Sequence, residues 1–336
     1  MMRAGVIGVG AMGRHHARVY SELDETELVA VADVEPARVE TMARRYRVRT
    51  YADHREMLAQ ERLDLVSVVV PTQLHQAVAL DVIEAGVHLL VEKPIASTVE
   101  EGQTIIEAAT RRGVKFTVGH VERFNPAVIE LRRRLERDEL GRLFTIHARR
   151  MGPFPARVRD VGVVIDLATH DLDVICWLIG QPVERVHAET ARRIHTAHED
   201  LLSGLLRFAD GTIGVLEVNW LTPTKVRELS VTGERGMFLV NYLTQELYFY
   251  ENNYAAGQWE ALGILTGVGE GNMVRLCIER REPLREELAS FVGAVRDDTE
   301  PLVTGADGLA ALALARTLAE AGQTGAFIYP QAQEGV

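Results

Sequence analysis

The chain has 336 residues, of which 47% are hydrophobic and 25% charged, and its formal net charge is -11. That length predicts two domains or three, and the apolar fraction excludes intrinsic disorder as the main state. The acidic balance argues against a nucleic-acid binder, and the longest apolar runs, Leu65–Pro71 and Leu309–Ala315, fall far below the ~18 residues of a membrane span. No leader pattern is visible at the N-terminus, and two cysteines, Cys176 and Cys277, cannot build a disulfide framework, so a cytoplasmic protein is expected. Of 37 basic residues only three are lysines: Lys93, Lys115 and Lys225.

The first 120 residues alternate strand and helix patterns. Apolar, β-branched runs predict strands at Ala4–Ile7, Leu28–Ala32, Leu65–Val70, His88–Val91 and Lys115–Val118. Helical patterns lie between them at Met12–Glu22, Pro36–Tyr46, His75–Ala85 and Val99–Arg112, the last with a capping box at Ser97–Glu100 and a stop at Gly113. Successive βαβ units of this kind predict a doubly wound parallel sheet over residues 1–120.

After Gly119 the pattern changes, and residues 121–336 read as a second, α+β domain. Helices are expected at Pro126–Glu139 and Val161–Ile179, with a strand at Leu143–Arg150 between them. Strands follow at Val183–Thr190, Leu201–Phe208, Ile213–Leu221, Val226–Thr232, Met237–Val240 and Glu246–Tyr250, with a hairpin turn at Ala209-Asp210-Gly211. This run implies a mainly antiparallel sheet. Residues 251–275 read as a long polar loop, and helices close the chain near Pro283–Arg296 and Gly308–Ala321. In Ile213–Trp220 both faces carry apolar residues, as suits a sheet covered by a second subunit, so a homodimer or homotetramer is expected.

Gly8-Val9-Gly10-Ala11-Met12-Gly13 is a G-x-G-x-x-G turn between the first predicted strand and helix. Its glycines would admit a pyrophosphate to the backbone and to the N–H donors of the helix N-terminus. Asp33, twenty residues past Gly13 at the end of the second strand, suits a ribose ligand. Its charge repels a 2′-phosphate, so NAD is favoured over NADP, with Arg38 leaving room for dual use. Pro71, Thr72 and His75 follow the strand Leu65–Val70, and Glu92-Lys93-Pro94 follows His88–Val91, which places them at the same carboxyl edge of the sheet as the cofactor.

Asp166, His170 and Asp173, at i, i+4 and i+7, share one face of an otherwise apolar helix. Three polar groups there need partners or a function. Asp and His at a spacing of four, as in Asp166 and His170, could begin a metal site but lack a third clear ligand, so none is expected. His15-His16 could flank the pyrophosphate without doing chemistry, and His195-Thr196-Ala197-His198 reads as a surface loop.

Together, Gly8–Gly13, Glu92-Lys93-Pro94 and Asp166-x-Ala-x-His170-x-x-Asp173 resemble the Gfo/Idh/MocA oxidoreductase family over essentially the whole chain, with Ala168 where that family usually carries glycine. The segments Gly119–Pro126 and Gly152–Gly162 are most similar to its UDP-N-acetylglucosamine 3-dehydrogenases and related nucleotide-sugar dehydrogenases. The resemblance implies an N-terminal Rossmann domain, an open-faced C-terminal sheet used for oligomerisation, NAD, and oxidation of a secondary alcohol of a nucleotide sugar.

Such a reaction needs a proton acceptor at the hydroxyl, and Lys93 and His170 are the candidates, one as acid/base and the other as orienting donor. Free lysine would need a drop of ~3 pKa units to work near neutrality, whereas histidine needs almost none. Asp166 would hold the imidazole or a sugar hydroxyl. Arg123, Arg157 and Arg159 are candidates for a diphosphate, and Asn125 for the sugar. A free-sugar or inositol dehydrogenase and a non-catalytic nucleotide-binding regulator are the competing readings.

Overall fold

The computed structural model describes residues 1–155, 161–194, 197–252 and 270–330. It divides into two compact units, one of Met1–Phe124 with Glu282–Ala313, the other of Asn125–Arg281 with the segment from Leu314.

In the first unit six strands, β1 (Met2–Ile7), β2 (Thr26–Ala32), β3 (Arg49–Tyr51), β4 (Leu65–Val68), β5 (His88–Glu92) and β6 (Phe116–Gly119), form one parallel sheet in the order β3-β2-β1-β4-β5-β6. Helices α1 (Gly13–Glu22), α2 (Pro36–Tyr46), α3 (His54–Gln60), α4 (His75–Glu84) and α5 (Val99–Arg112) connect them. The strand order reverses between β1 and β4, which opens the ligand crevice of such sheets at the carboxyl end of β1. The expected capping box lies one residue later. Thr98 Oγ1 accepts the Glu101 N–H at 3.2 Å, and the Glu101 carboxylate accepts the Thr98 N–H at 3.3 Å.

Two elements here had no apolar signature. β3 is three residues long and largely exposed, and α3 buries only Met57. The cue for α3 was polar: Asp53 caps it by accepting the Arg55 N–H at 2.8 Å, with Glu56 in the first turn.

The expected second domain of 121–336 takes in Glu282–Ala313, which pack with the first unit. The reason is the helical stripe Leu284, Leu288, Phe291 and Val292 on α8 (Pro283–Arg296), buried against Val19, Tyr20 and Leu23 of the first core.

The second unit is built on eight strands. These are β7 (Leu143–Pro153), β8 (Val183–Ala191), β9 (Leu201–Phe208), β10 (Ile213–Asn219), β11 (Leu221–Gly233), β12 (Gly236–Asn241), β13 (Glu246–Asn252) and β14 (Glu270–Leu276). Their order is β14-β13-β12-β11-β7-β10-β9-β8, antiparallel throughout except that β7 and β10 run parallel. β14 occupies part of the segment expected as a loop, and residues 253–269 lie outside the described residues.

On one face of the sheet a continuous core gathers Val128 and Leu131 of α6 (Pro126–Glu136), Leu172 and Ile175 of α7 (Thr169–Ile179), and Leu314, Leu318 and Ala321 of α9 (Gly305–Thr324). On the other face the described residues leave side chains exposed, and β9 alternates buried and exposed residues along its length. Among the described residues no helix is long and apolar enough to cross a membrane, and neither Cys176 nor Cys277 is joined in a disulfide.

Candidate functional site

The first unit presents its fingerprint at the carboxyl ends of the strands. A Cβ at Gly8 would lie 2.4 Å from the Val69 carbonyl, and one at Gly13 only 1.8 Å from the Gly8 carbonyl, so both are glycine because backbone passes against backbone. Gly10 differs. A Cβ there would meet only Arg38 Nη1, at 3.8 Å, so the protein's own packing does not require glycine, and the space beside it suits a close-approaching ligand. Ala11 is exposed and Met12 sits at the N-cap of α1. No side chain caps that helix and no acid occupies its first turn, which suits an anion.

Asp33 is buried at the end of β2. Its Oδ2 accepts the Val9 N–H at 2.8 Å and its Oδ1 the Glu35 N–H at 2.9 Å, with Arg38 Nη1 at 3.5 Å from both. The Arg38 contacts are long and its side chain is largely exposed, so a ribose hydroxyl can take the acceptor sites that it occupies. These features fit a dinucleotide: glycine-lined backbone, an uncapped helix N-terminus and a fixed acid.

The other residues expected at this edge divide by role. Pro71 and Thr72 lead into a short 3-10 turn, Thr72–Leu74, before α4. His75 is buried and engaged by the protein itself: Nδ1 lies 2.9 Å from the Pro94 carbonyl and Nε2 3.0 Å from the Val70 carbonyl. It staples two loops, and its ring nitrogens face the protein's own carbonyls rather than a cofactor. Burial pushes its pKa below the ordinary histidine value, against the two carbonyls, which act to raise it.

Glu92 also turns inward. Its Oε1 lies 3.0 Å from His16 Nε2 and its Oε2 accepts the Lys93 N–H at 3.1 Å. Burial works to raise its pKa, but the His16 hydrogen bond and charge, with Lys93, outweigh burial and hold it below the usual carboxylate range. Lys93 follows directly, half-buried, and joins Pro94 through a cis peptide.

Arg123, expected to hold a diphosphate, is 3% exposed and pairs with Asp307 at 3.1 Å. Its guanidinium is committed inside the first unit. Burial would raise the Asp307 carboxyl, but Arg123 and Thr304 together keep it low.

In the second unit the motif helix is not a single α-helix. Val164–Ala168 form a π turn, and α7 continues from Thr169 to its stop at Gly180. The wider turn rotates Asp166 relative to His170, so the even i, i+4, i+7 stripe does not hold through it. Asp166 and His170 are half-buried, whereas Asp173 is buried. The start of the turn is held by Glu199, whose carboxylate accepts the Val164 N–H at 3.3 Å.

Asn125, expected at the sugar, has both ends of its side chain engaged. Oδ1 caps α6 by accepting the Ala127 N–H at 3.1 Å, and Nδ2 donates to the Tyr242 carbonyl at 3.1 Å. Arg157, Arg159 and His195 lie outside the described residues. Among the described residues no group of three or more His, Cys, Asp or Glu side chains is arranged to hold a metal ion.

Sequence reasoning missed two polar pairings. Arg150 donates to Asp171 at 2.7 and 3.1 Å, fully inside the second unit, with its guanidinium 5.3 Å from the centre of the Tyr242 ring. His16 and Ser67 join Glu92 and Tyr20 in a buried network. A cue for the second was present: His16 and Tyr20 stand one helical turn apart on the buried stripe of α1.

Residues 2–120 match the family model described as an oxidoreductase family with an NAD-binding Rossmann fold, and residues 128–239 match that of the GFO/IDH/MocA C-terminal domain. The chain is 29% identical to a UDP-N-acetylglucosamine 3-dehydrogenase of Acidithiobacillus ferrooxidans, over 94% of this chain and 95% of that one. It is 32% identical to a myo-inositol dehydrogenase of Streptomyces leeuwenhoekii, over 70% and 75% of the two chains. A solved structure of the Acidithiobacillus ferrooxidans UDP-N-acetylglucosamine 3-dehydrogenase superposes with a TM-score of 0.86 at 29% identity, covering 96% of this chain and 98% of that one.

Proposed function

The chain belongs to the Gfo/Idh/MocA family and is an NAD-dependent oxidoreductase of the sugar or nucleotide-sugar dehydrogenase type; from that premise we propose that it oxidises the 3-hydroxyl of a UDP-N-acetylhexosamine to the 3-keto sugar. The observation that carries this reading is the similarity to a UDP-N-acetylglucosamine 3-dehydrogenase along nearly the whole of both chains, through both units. NAD+, when bound, supplies the hydride acceptor. Gly8, Gly10 and Gly13 would admit its diphosphate, and Asp33 would accept from its adenosine ribose.

Lys93 and His170 then serve the substrate hydroxyl as acid/base and orienting donor, and Asp166 steadies the imidazole or a neighbouring hydroxyl. General acid–base groups of this kind contribute about 10²–10⁴ in rate. Lys93→Met is therefore expected to lower kcat by at least ~100-fold while leaving NADH binding intact; near-normal turnover would remove Lys93 from the chemistry.

A second reading, oxidation of a free sugar or inositol, has support of its own. Inositol dehydrogenases match the chain, and Arg123, one of the expected diphosphate ligands, is buried and pairs with Asp307. Incubation with NAD+ and a panel of UDP-sugars, free sugars and inositols, followed at the reduced-nicotinamide absorbance, separates the two. Reduction with UDP-N-acetylglucosamine supports the first. Reduction with myo-inositol and none with UDP-sugars replaces it with the second.

A homodimer or homotetramer completes the proposal. Leu205, Ile213, Tyr250 and Met273 are 36–57% exposed on the face of the sheet opposite its core, and strand register places Val215 between Leu205 and His147. A second copy would cover this apolar strip. Sedimentation of a Leu205→Glu variant at the wild-type mass would count against that use of the face.

A further inference from the structure

The first unit contains one unbroken polar chain that neither the fingerprint nor the acid–base reading accounts for. His16, on α1 three residues after Gly13, is 0% exposed. Its Nδ1 lies 3.0 Å from Ser67 Oγ on β4, and Ser67 Oγ lies 2.9 Å from Tyr20 Oη, one turn further along α1. On its other side Nε2 meets Glu92 Oε1 at 3.0 Å, and Glu92 Oε2 accepts the Lys93 N–H at 3.1 Å. The helix that opens on the fingerprint is thus joined by hydrogen bonds to the backbone of Lys93.

Such a network is costly to bury and gains little over apolar packing of the same shape. It does, however, fix geometry. His16 holds Glu92 Oε1 and the Lys93 N–H holds Oε2, so both contacts lie at the turn where β5 ends and Lys93 begins. The cis bond to Pro94 and the His75 contact with the Pro94 carbonyl bound the same turn from the far side.

We propose that His16 and Glu92 are positioning residues for Lys93, holding it in fixed register with the cofactor-binding helix. This rests on the reading of Lys93 as an acid–base group, and misplacement of such a group by about 1 Å can cost on the order of 100-fold in rate. His16→Leu is expected to lower kcat by about 10–100-fold, with the KM for the sugar and the NADH dissociation constant each within threefold of wild type. His16→Gln, whose amide can stand where Nε2 stands and donate to Glu92, is expected to recover most of the loss. If His16→Leu does not fold, Glu92→Gln, which keeps the shape and removes the charge, takes its place in the comparison.

A second readout needs no turnover. Hydrogen exchange at the Lys93 amide, followed by mass spectrometry of peptides spanning residues 88–95, is expected to speed up in His16→Leu and to stay slow in His16→Gln. A kcat within threefold of wild type in His16→Leu, or unchanged exchange at Lys93, overturns the proposal. Equal losses in kcat and NADH affinity do so too, because they report a damaged cofactor helix. A wild-type protein inactive on every sugar tested overturns the functional reading instead, and the exchange result still decides the positioning role.

Discussion

Gly10→Ala separates a glycine kept for a ligand from one kept for the fold. The Gly10 backbone lies outside the left-handed region, and the added methyl would meet only Arg38 Nη1 at 3.8 Å. The substitution is therefore expected to change stability by less than ~1 kcal/mol, in the stabilising direction, because alanine restricts the unfolded chain. The same methyl stands where the dinucleotide diphosphate would approach the turn. Loss of one charge-assisted hydrogen bond to backbone N–H, worth about 1.5–3 kcal/mol, weakens NADH binding about 10–150-fold. Gly13→Ala provides the contrast: its Cβ would lie 1.8 Å from the Gly8 carbonyl, so the backbone must move, at a cost above ~4 kcal/mol. Urea denaturation and NADH fluorescence titration of both variants give the two numbers. A Gly10→Ala protein that binds NADH as wild type does would refute the placement of the diphosphate over this turn.

Asp33→Asn, with Arg38 left in place at 3.5 Å, should raise the ratio of NADP+ to NAD+ efficiency by about tenfold or more; an unchanged ratio in initial-rate assays would show that this carboxylate does not select the cofactor. Asp171→Ala leaves Arg150 buried without its bidentate carboxylate and should cost ~3–5 kcal/mol by urea denaturation, whereas a loss under ~1 kcal/mol would mean the guanidinium finds water. His75 contributes to the pH dependence of stability. Its pKa is lowered by burial, so the unfolded chain binds the proton more readily; the contribution is fully present above about pH 6.5 and is lost as pH falls through the lower folded value. Urea midpoints of wild type should therefore drop on acidification through that window, and those of His75→Gln should drop less; parallel curves would show that His75 does not titrate differently on folding.

The order of strands and helices in the first unit was legible because each element announces itself within a few residues. Continuous β-branched runs mark strands buried on both faces, and α2, α5, β9 and α8 have the expected bounds, their caps and periodicity being local. What escaped was short or polar. β3 has three residues and no apolar face, and the π turn at Val164–Ala168 carries no signature in a run that reads equally well as α-helix. That some expected site residues turn inward was not legible, for a common reason. Nothing in the neighbours of Arg123 or Asn125 shows that one is buried against Asp307 and the other spent on a helix cap and a carbonyl.

By itself, then, the sequence determined the alternation of elements, the glycine turn after β1, the acid at the end of β2 and the lysine at the end of β5, since periodicity and turn chemistry act between near neighbours. Only the tertiary structure decided that α8 belongs to the first core, that Arg150 is matched by Asp171, and that His16 meets Glu92 76 positions away. Those pairings follow from strand order and from the burial of polar groups that must each find a partner once water is excluded. One of them gives Lys93, among so many arginines, a surrounding that composition could not describe: a backbone held from behind by a buried carboxylate and imidazole.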